Sequence, residues 1–238
     1  MRSRLPLATD RLHLILMLAL TFSTGVVDAV GYLGLDRVFT GNMTGNVVML
    51  GMAFAGGTTL PILRPALALV AFMVGAACAG RVLRAAPSGW SPRTSAVFGA
   101  VAAGMAALSI FVAVAPVQHS ELEGSITTSV MALLMGIQAA TARRLKVADV
   151  TTVVVTSTIT GLAADSRLAG GSGALWARRA LAIALILLGA LAGSAALHVH
   201  LWLGPALSAV ITGAVAWVGH RRSVSESRVS GELVGASA

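Results

Sequence analysis

The sequence predicts an all-α polytopic membrane protein. It has about six full transmembrane helices, two polar re-entrant or broken helices, and two pseudo-symmetric halves of inverted orientation. Three observations lead there. Of 238 residues, 56% are hydrophobic and only 11% charged, with mean hydropathy +0.86; soluble domains carry about 25% charged residues. The basic residues fall in clusters between apolar runs. Two polar segments resemble each other, in their own residues and in the order of their neighbours. A soluble fold could not hide this much apolar surface, so a cytosolic enzyme, a disordered chain and a soluble nucleic-acid binder are excluded. The net charge of +8 fits a membrane protein whose cytoplasmic loops hold Arg.

A span needs about 20 largely apolar residues to cross a core about 30 Å thick. The first runs over 12–35, after a cytoplasmic N-terminus of residues 1–11. Arg2, Arg4 and Arg11 ahead of an apolar run resemble a signal peptide, but the run continues to Leu35, so it reads as a first transmembrane segment. The other strong segments are 61–83, 94–117, 125–142, 177–197 and 201–219. Segments 38–57 and 150–164 are apolar but studded with hydroxyls and amides. The first repeat occupies 12–117, an external loop 118–124, and the second repeat 125–220. A Ser-, Glu- and Gly-containing tail over 221–238 reads as disordered and cytoplasmic.

The positive-inside rule decides how many segments cross. With six crossings and an internal N-terminus, fifteen of seventeen basic residues lie inside, leaving Arg37 and Arg64 outside together with Glu121 and Glu123. With eight crossings the split is ten to seven, close to no bias. Six crossings plus two segments that enter and return is the better topology.

The two polar segments align. Thr40-Gly-Asn-Met-Thr44-Gly45 matches Thr156-Ser-Thr-Ile-Thr160-Gly161 in both threonines and the glycine. Gly25-Val-Val-Asp28-Ala29 lies over Gly136-Ile-Gln138-Ala139-Ala140, and the span from 61 superposes on that from 177, 116 residues on. Under six crossings the first half starts inside and the second outside, the inverted repeat of many secondary transporters.

Residues 24–33 (Thr-Gly-Val-Val-Asp-Ala-Val-Gly-Tyr-Leu), 39–46 (Phe-Thr-Gly-Asn-Met-Thr-Gly-Asn) and 135–144 (Met-Gly-Ile-Gln-Ala-Ala-Thr-Ala-Arg-Arg) carry a family resemblance. Over about residues 12–220 the chain resembles the YoaK-like family of bacterial inner-membrane proteins, defined by a domain of unknown function. Many members have Gln-Asn-Ala where this chain has Gln138-Ala139-Ala140, so that amide is not required. The resemblance implies a multi-pass protein of the bacterial cytoplasmic membrane and brings no substrate with it.

Asp28 is the only acidic residue deep within a span. A carboxylate there costs roughly 2.5–3.5 kcal/mol on insertion scales, so it faces a partner or a watery cavity. The functional reading is a coupling acid; the structural one is a hydrogen-bonded link to a neighbouring helix. Thr40, Asn42, Thr44 and Asn46 could satisfy a broken helix or bind a ligand, because half-helix termini supply partial charge near the midplane. Thr156, Thr158 and Thr160 sit on alternate positions, which share a face only in an extended segment. Gln138 is the nearest polar partner to the level of Asp28 in the second half.

Gly41, Gly45, Gly161, Gly189 and Gly193 read as helix-packing glycines, the last two strongly so as a Gly-xxx-Gly pair. His198 and His200 have no third ligand nearby, Cys78 stands alone, and no phosphate-binding Gly-Lys loop or nucleophile–base set occurs. The expectation is therefore a non-enzyme without cofactor or metal. Its partners are the lipid bilayer and a small molecule or ion, with no nucleic acid and with a homo-oligomer left open. Both termini are expected in the cytoplasm. A secondary transporter or permease is the leading function; a non-transporting sensor or scaffold is the alternative.

Overall fold

Residues Arg11–Gly34 are 24 residues of mean hydropathy 1.9, enough for a helix to cross the bilayer at 1.5 Å per residue. A computed structural model describes residues 5–56, 59–87, 89–145 and 155–235, with side chains over 11–56, 59–87, 89–145 and 155–225. Expectations that rest on Arg2, Arg4, Lys146, residues 150–154 or the side chain of Arg228 lie outside these residues. The described chain is all-helical. Six helices are long and apolar enough to span: α1 (Leu5–Gly34), α3 (Leu63–Leu83), α4 (Pro92–Val114), α5 (Glu121–Arg144), α7 (Trp176–Leu197) and α8 (Leu203–Gly235). The two polar segments form α2 (Met43–Phe54) and α6 (Val155–Ala164). At 12 residues α2 reaches only about 18 Å, little more than half a membrane core, and the 10 described residues of α6 reach about 15 Å.

Local chemistry sets the ends. Ser91 caps α4 by accepting the Thr94 N–H at 3.2 Å, with Pro92 at the first helical position. Helix α5 opens on Glu121 and Glu123 and closes on Arg143 and Arg144, each sign matched to the helix dipole. Asp36 and Arg37 take left-handed backbone, φ 64° and 57°, and reverse the chain after α1. The tail beyond Arg221, expected as disordered, instead continues α8 as helix to Gly235. The span has already nucleated that helix, so each added residue costs little, and Arg221 lies over the Trp217 ring at 4.0 Å.

Two helix pairs carry the closest packing. Helices α3 and α5 run side by side in one direction. Arg64 covers Gly124 in the first turns, and Arg144 donates to the Ala86 carbonyl at 2.6 Å beyond the last. At their crossing, a Cβ on Gly75 would strike the Leu133 carbonyl and one on Gly136 the Phe72 carbonyl. Helices α1 and α7 are likewise parallel, and there the Cβ of Gly189 would strike the Phe22 carbonyl and that of Gly25 the Ile186 carbonyl. Each contact of one crossing has its counterpart in the other, 111 residues apart on α1 and α5 and 114 apart on α3 and α7. The second figure adjusts the sequence alignment, which set it at 116.

Helix α8 runs antiparallel to α1 and α4, meeting α1 through a Ser23–Ser208 hydroxyl bond of 2.8 Å and α4 through Ser109 to the Trp202 carbonyl, 2.9 Å. One end of the bundle closes on Leu16, Phe98, Ala142, Leu145, Ala182 and Val215, with Trp90 stacked between His13 and Phe98. The other closes on Val30, Leu35, Val112, Val117 and Leu201. At the first end meet the helix termini that bear Arg11, Arg81, Arg84, Arg93, Arg143, Arg144, Arg178, Arg179, Arg221 and Arg222. Arg37, Arg64, Glu121 and Glu123 belong to the other. Among the six spans α1 is the most enclosed and α7 the least, so Asp28 sits on the central helix.

Candidate functional site

After Gly34 the chain folds back along the last two turns of α1. Leu35 and Val38 N–H groups bond the Gly31 carbonyl, and Arg37 bonds that of Tyr32. Gly31 is needed there, since a Cβ would lie 2.5 Å from the Val38 carbonyl oxygen. The returning strand brings three consecutive amides onto one carboxylate oxygen. Asp28 Oδ1 accepts the N–H of Thr40 at 3.0 Å, Gly41 at 2.7 Å and Asn42 at 3.3 Å. A buried anion holding several amides is the arrangement that makes a carboxylate tolerable away from water. Oδ2 takes no hydrogen bond from any described residue, and Asp28 lines a cavity.

Asn46 fixes the same loop from the other side. Its Oδ1 accepts the Phe39 N–H at 3.0 Å and its Nδ2 donates to the Phe39 carbonyl at 2.6 Å. Thr40 is fully buried and donates to the Val27 carbonyl at 3.3 Å. Asn42 caps α2 by accepting the Gly45 N–H at 3.4 Å. Phe39 stacks on Tyr32 with centroids 4.9 Å apart, and a Cβ on Gly45 would lie 2.6 Å from its ring. Gly45 therefore admits an aromatic side chain rather than a second helix. A Cβ on Gly41 would lie 3.0 Å from Thr24 Cγ2 and 3.3 Å from Met135 Cε, where the loop abuts α1 and α5.

A cavity of about 690 Å³ opens beside this loop, within the size range of small-molecule sites. Its wall includes Thr24, Asp28 and Tyr32 of α1, Phe39, Gly41 and Asn42 of the loop, Thr44 and Met49 of α2, and Val155 and Thr156 of α6. The beginning of α2 and the first described turn of α6 thus face one space. Of the sequence-derived candidates, Asp28, Asn42, Thr44 and Thr156 line it; Thr40 and Asn46 hold its loop from behind. Segment 155–164 is helical, which corrects the extended alternative for the threonines. Thr158 is buried about 200° around the axis from Thr156, and Thr160 donates to the Thr156 carbonyl at 2.9 Å.

Gln138 is not on the wall. It is fully buried, accepts from the Thr212 hydroxyl at 3.1 Å, and its Nε2 has no partner among the described residues. Gly161 accommodates Arg179, whose Nη1 donates to the Gly161 carbonyl at 2.5 Å and to Asp165 Oδ2 at 2.6 Å, tying α6 to α7. Gly189 and Gly193 are helix-packing positions against α1. Sequence reasoning missed Thr24, Tyr32 and Phe39. Two signals were present: Thr24 stands one helical turn before Asp28, and Tyr32 is the single tyrosine of the chain. Among the described residues no three His, Cys, Asp or Glu side chains gather as a metal site would require.

A family described as "Protein of unknown function (DUF1275)" matches residues 16–218. The chain is 34% identical over 156 residues to the "UPF0700 transmembrane protein YoaK" of Bacillus subtilis (strain 168). That similarity covers 63% of this chain and 65% of the relative, just under two thirds of its length. No solved structure matches.

Proposed function

The chain belongs to the DUF1275 family of multi-pass membrane proteins, and from that premise we propose that it is a secondary transporter or permease for a small solute. Substrate binds between the two half-helices, and Asp28 is the coupling acid. The observation that carries this reading is the single cavity uniting Asp28, Asn42 and Thr156. Midplane cavities faced by broken helices are where transporters hold substrates, because the backbone there lines water rather than lipid.

The halves are read as an inverted repeat. What supports this is the doubled glycine crossing with its constant offsets. Helix direction agrees: α1 runs with α7 and α3 with α5, while α8 opposes α1 and α4. Alternate crossing then sets α1 against α5, and α2 and α6 enter from opposite ends. The arginine-bearing end is assigned to the cytoplasm of a bacterial inner membrane by the positive-inside rule. The protein acts as a non-enzyme, with lipid and solute, not nucleic acid, as its partners.

A sensor or scaffold would use its polar loop wholly in internal bonds, as Thr40 and Asn46 do. Asp28 Oδ2 takes no such bond from a described residue, which favours transport. The test is current recording on proteoliposomes given concentration jumps of an organic amine, a carboxylate, a sugar and an alkali cation in turn, with and without a proton or sodium gradient. At least one class evokes a gradient-dependent current that Asp28→Asn abolishes and Asn42→Ala reduces. Flux that ignores both gradients identifies a passive channel instead. Silence across all four classes, or currents unchanged in both variants, overturns the reading.

A further inference from the structure

We infer that the cavity takes a small organic ammonium, its N–H groups on Asp28 Oδ2 and its apolar body against Tyr32 and Phe39. The inference deepens the transport reading and rests on it for the cavity being a substrate site.

Charge is the first argument. Among the described residues, Asp28 is the only carboxylate on the wall, and no Lys, Arg or His lines it. The three loop amides already converge on Oδ1, so the positive end of α2 is answered within the protein. An anionic ligand would meet the remaining carboxylate oxygen with like charge in a setting of low dielectric, where repulsion is strong. A cation completes it.

The shape and character of the wall decide what kind of cation. About 690 Å³ is far more than a bare metal ion fills, and among the described residues no three His, Cys, Asp or Glu side chains gather to replace a hydration shell. One part of the wall is aromatic and aliphatic, with Tyr32 and Phe39 stacked at 4.9 Å, then Val48 and Met49, while Thr24, Asn42, Thr44 and Thr156 supply the polar part. Aromatic faces attract ammonium groups and pack against hydrocarbon. A polyol would want many free donors and acceptors, yet the Thr24 hydroxyl is bonded to the Leu20 carbonyl and Asn42 Oδ1 to Gly45.

The test compares three probes of one shape and different charge, benzylammonium, benzyl alcohol and phenylacetate, by calorimetry on the full chain in nanodiscs at pH 7. Benzylammonium should bind at least about tenfold more tightly than benzyl alcohol, which is 1.4 kcal/mol, and phenylacetate should not bind. Asp28→Asn should erase the preference. Tyr32→Leu, a change at a partly exposed side chain, should weaken benzylammonium and keeps the test informative if the first variant does not fold. Equal binding of the alcohol, stronger binding of phenylacetate, or no binding by any probe overturns the inference. Proteoliposome currents separate it from its premise. Benzylammonium binding without current under any gradient removes transport and leaves the ligand class. A current with sugar or carboxylate but no ammonium binding removes the ligand class and leaves transport.

Discussion

Asp28 divides its work between its two oxygens, and the division can be tested by substitution. Oδ1 holds three amides of the loop, while Oδ2 takes no hydrogen bond from a described residue. Asp28→Asn retains an acceptor for the amides and loses only the charge. Asp28→Ala leaves all three without a partner, and each buried unsatisfied group costs about 1–3 kcal/mol. The expected result is a thermal unfolding curve in detergent lowered by about 1 kcal/mol for Asn and by about 3 kcal/mol or more for Ala. Equal shifts would deny Oδ1 its anchoring role. Asn46→Ala should cost about 2 kcal/mol, since it strands both backbone groups of Phe39. Hydropathy alone marks Asp28 in the sequence, because one carboxylate in an apolar run stands out. It does not mark what the carboxylate holds: the amides lie 12–14 residues away and arrive only because Asp36 and Arg37 turn the chain back. Asn46 shows the same limit, since its amide faces a loop carbonyl rather than a ligand.

At the scale of elements, glycine placement decides how closely helices cross. Gly189 and Gly193 were visible as a pair spaced by four. Gly75, Gly25 and Gly136 were not, because α3, α1 and α5 each bring one glycine to the crossing, and a lone glycine in a helix carries no spacing signal. Contact with a partner's backbone gives them their weight. Gly136→Val would place side-chain carbon against the Phe72 backbone, an overpacking that cannot relax by a rotamer change and should cost about 3 kcal/mol. Gly80 lies on the exposed side of α3 with nothing near its missing Cβ. Gly80→Ala should therefore stabilise by about 0.5–1 kcal/mol through helix propensity. Opposite signs in unfolding of the two variants are expected; a neutral Gly136→Val would mean that α3 and α5 are not held at this distance. The half-helices were legible from length and polarity together. The fate of their polar residues was not, because a 10-residue helix separates Thr156 from Thr158 by half a turn of the axis, whereas the extended alternative would have joined them.

For the whole molecule, the arginine census and the helix ends agree, and the two half-helices are what the agreement depends on. If α2 crossed the bilayer, Ala55 would lie with the arginine-rich turn around Ala169. If α2 returns, Ala55 lies with Gln118, between α4 and α5. All three residues are exposed, and the one native cysteine, Cys78, can be removed as Cys78→Ala. Single cysteines are then placed as Ala55→Cys, Gln118→Cys and Ala169→Cys and probed with a membrane-impermeant maleimide on intact cells. Gln118→Cys and Ala55→Cys should label at once, and Ala169→Cys only after the membrane is permeabilised. The 12 residues of α2 set this expectation, since about 18 Å of helix cannot reach the far side of a core about 30 Å thick. Protection of Ala55→Cys alongside Ala169→Cys would place α2 across the membrane, return the basic residues to a ten-to-seven split, and remove the opposed entry of α2 and α6 on which the shared cavity's role in transport rests.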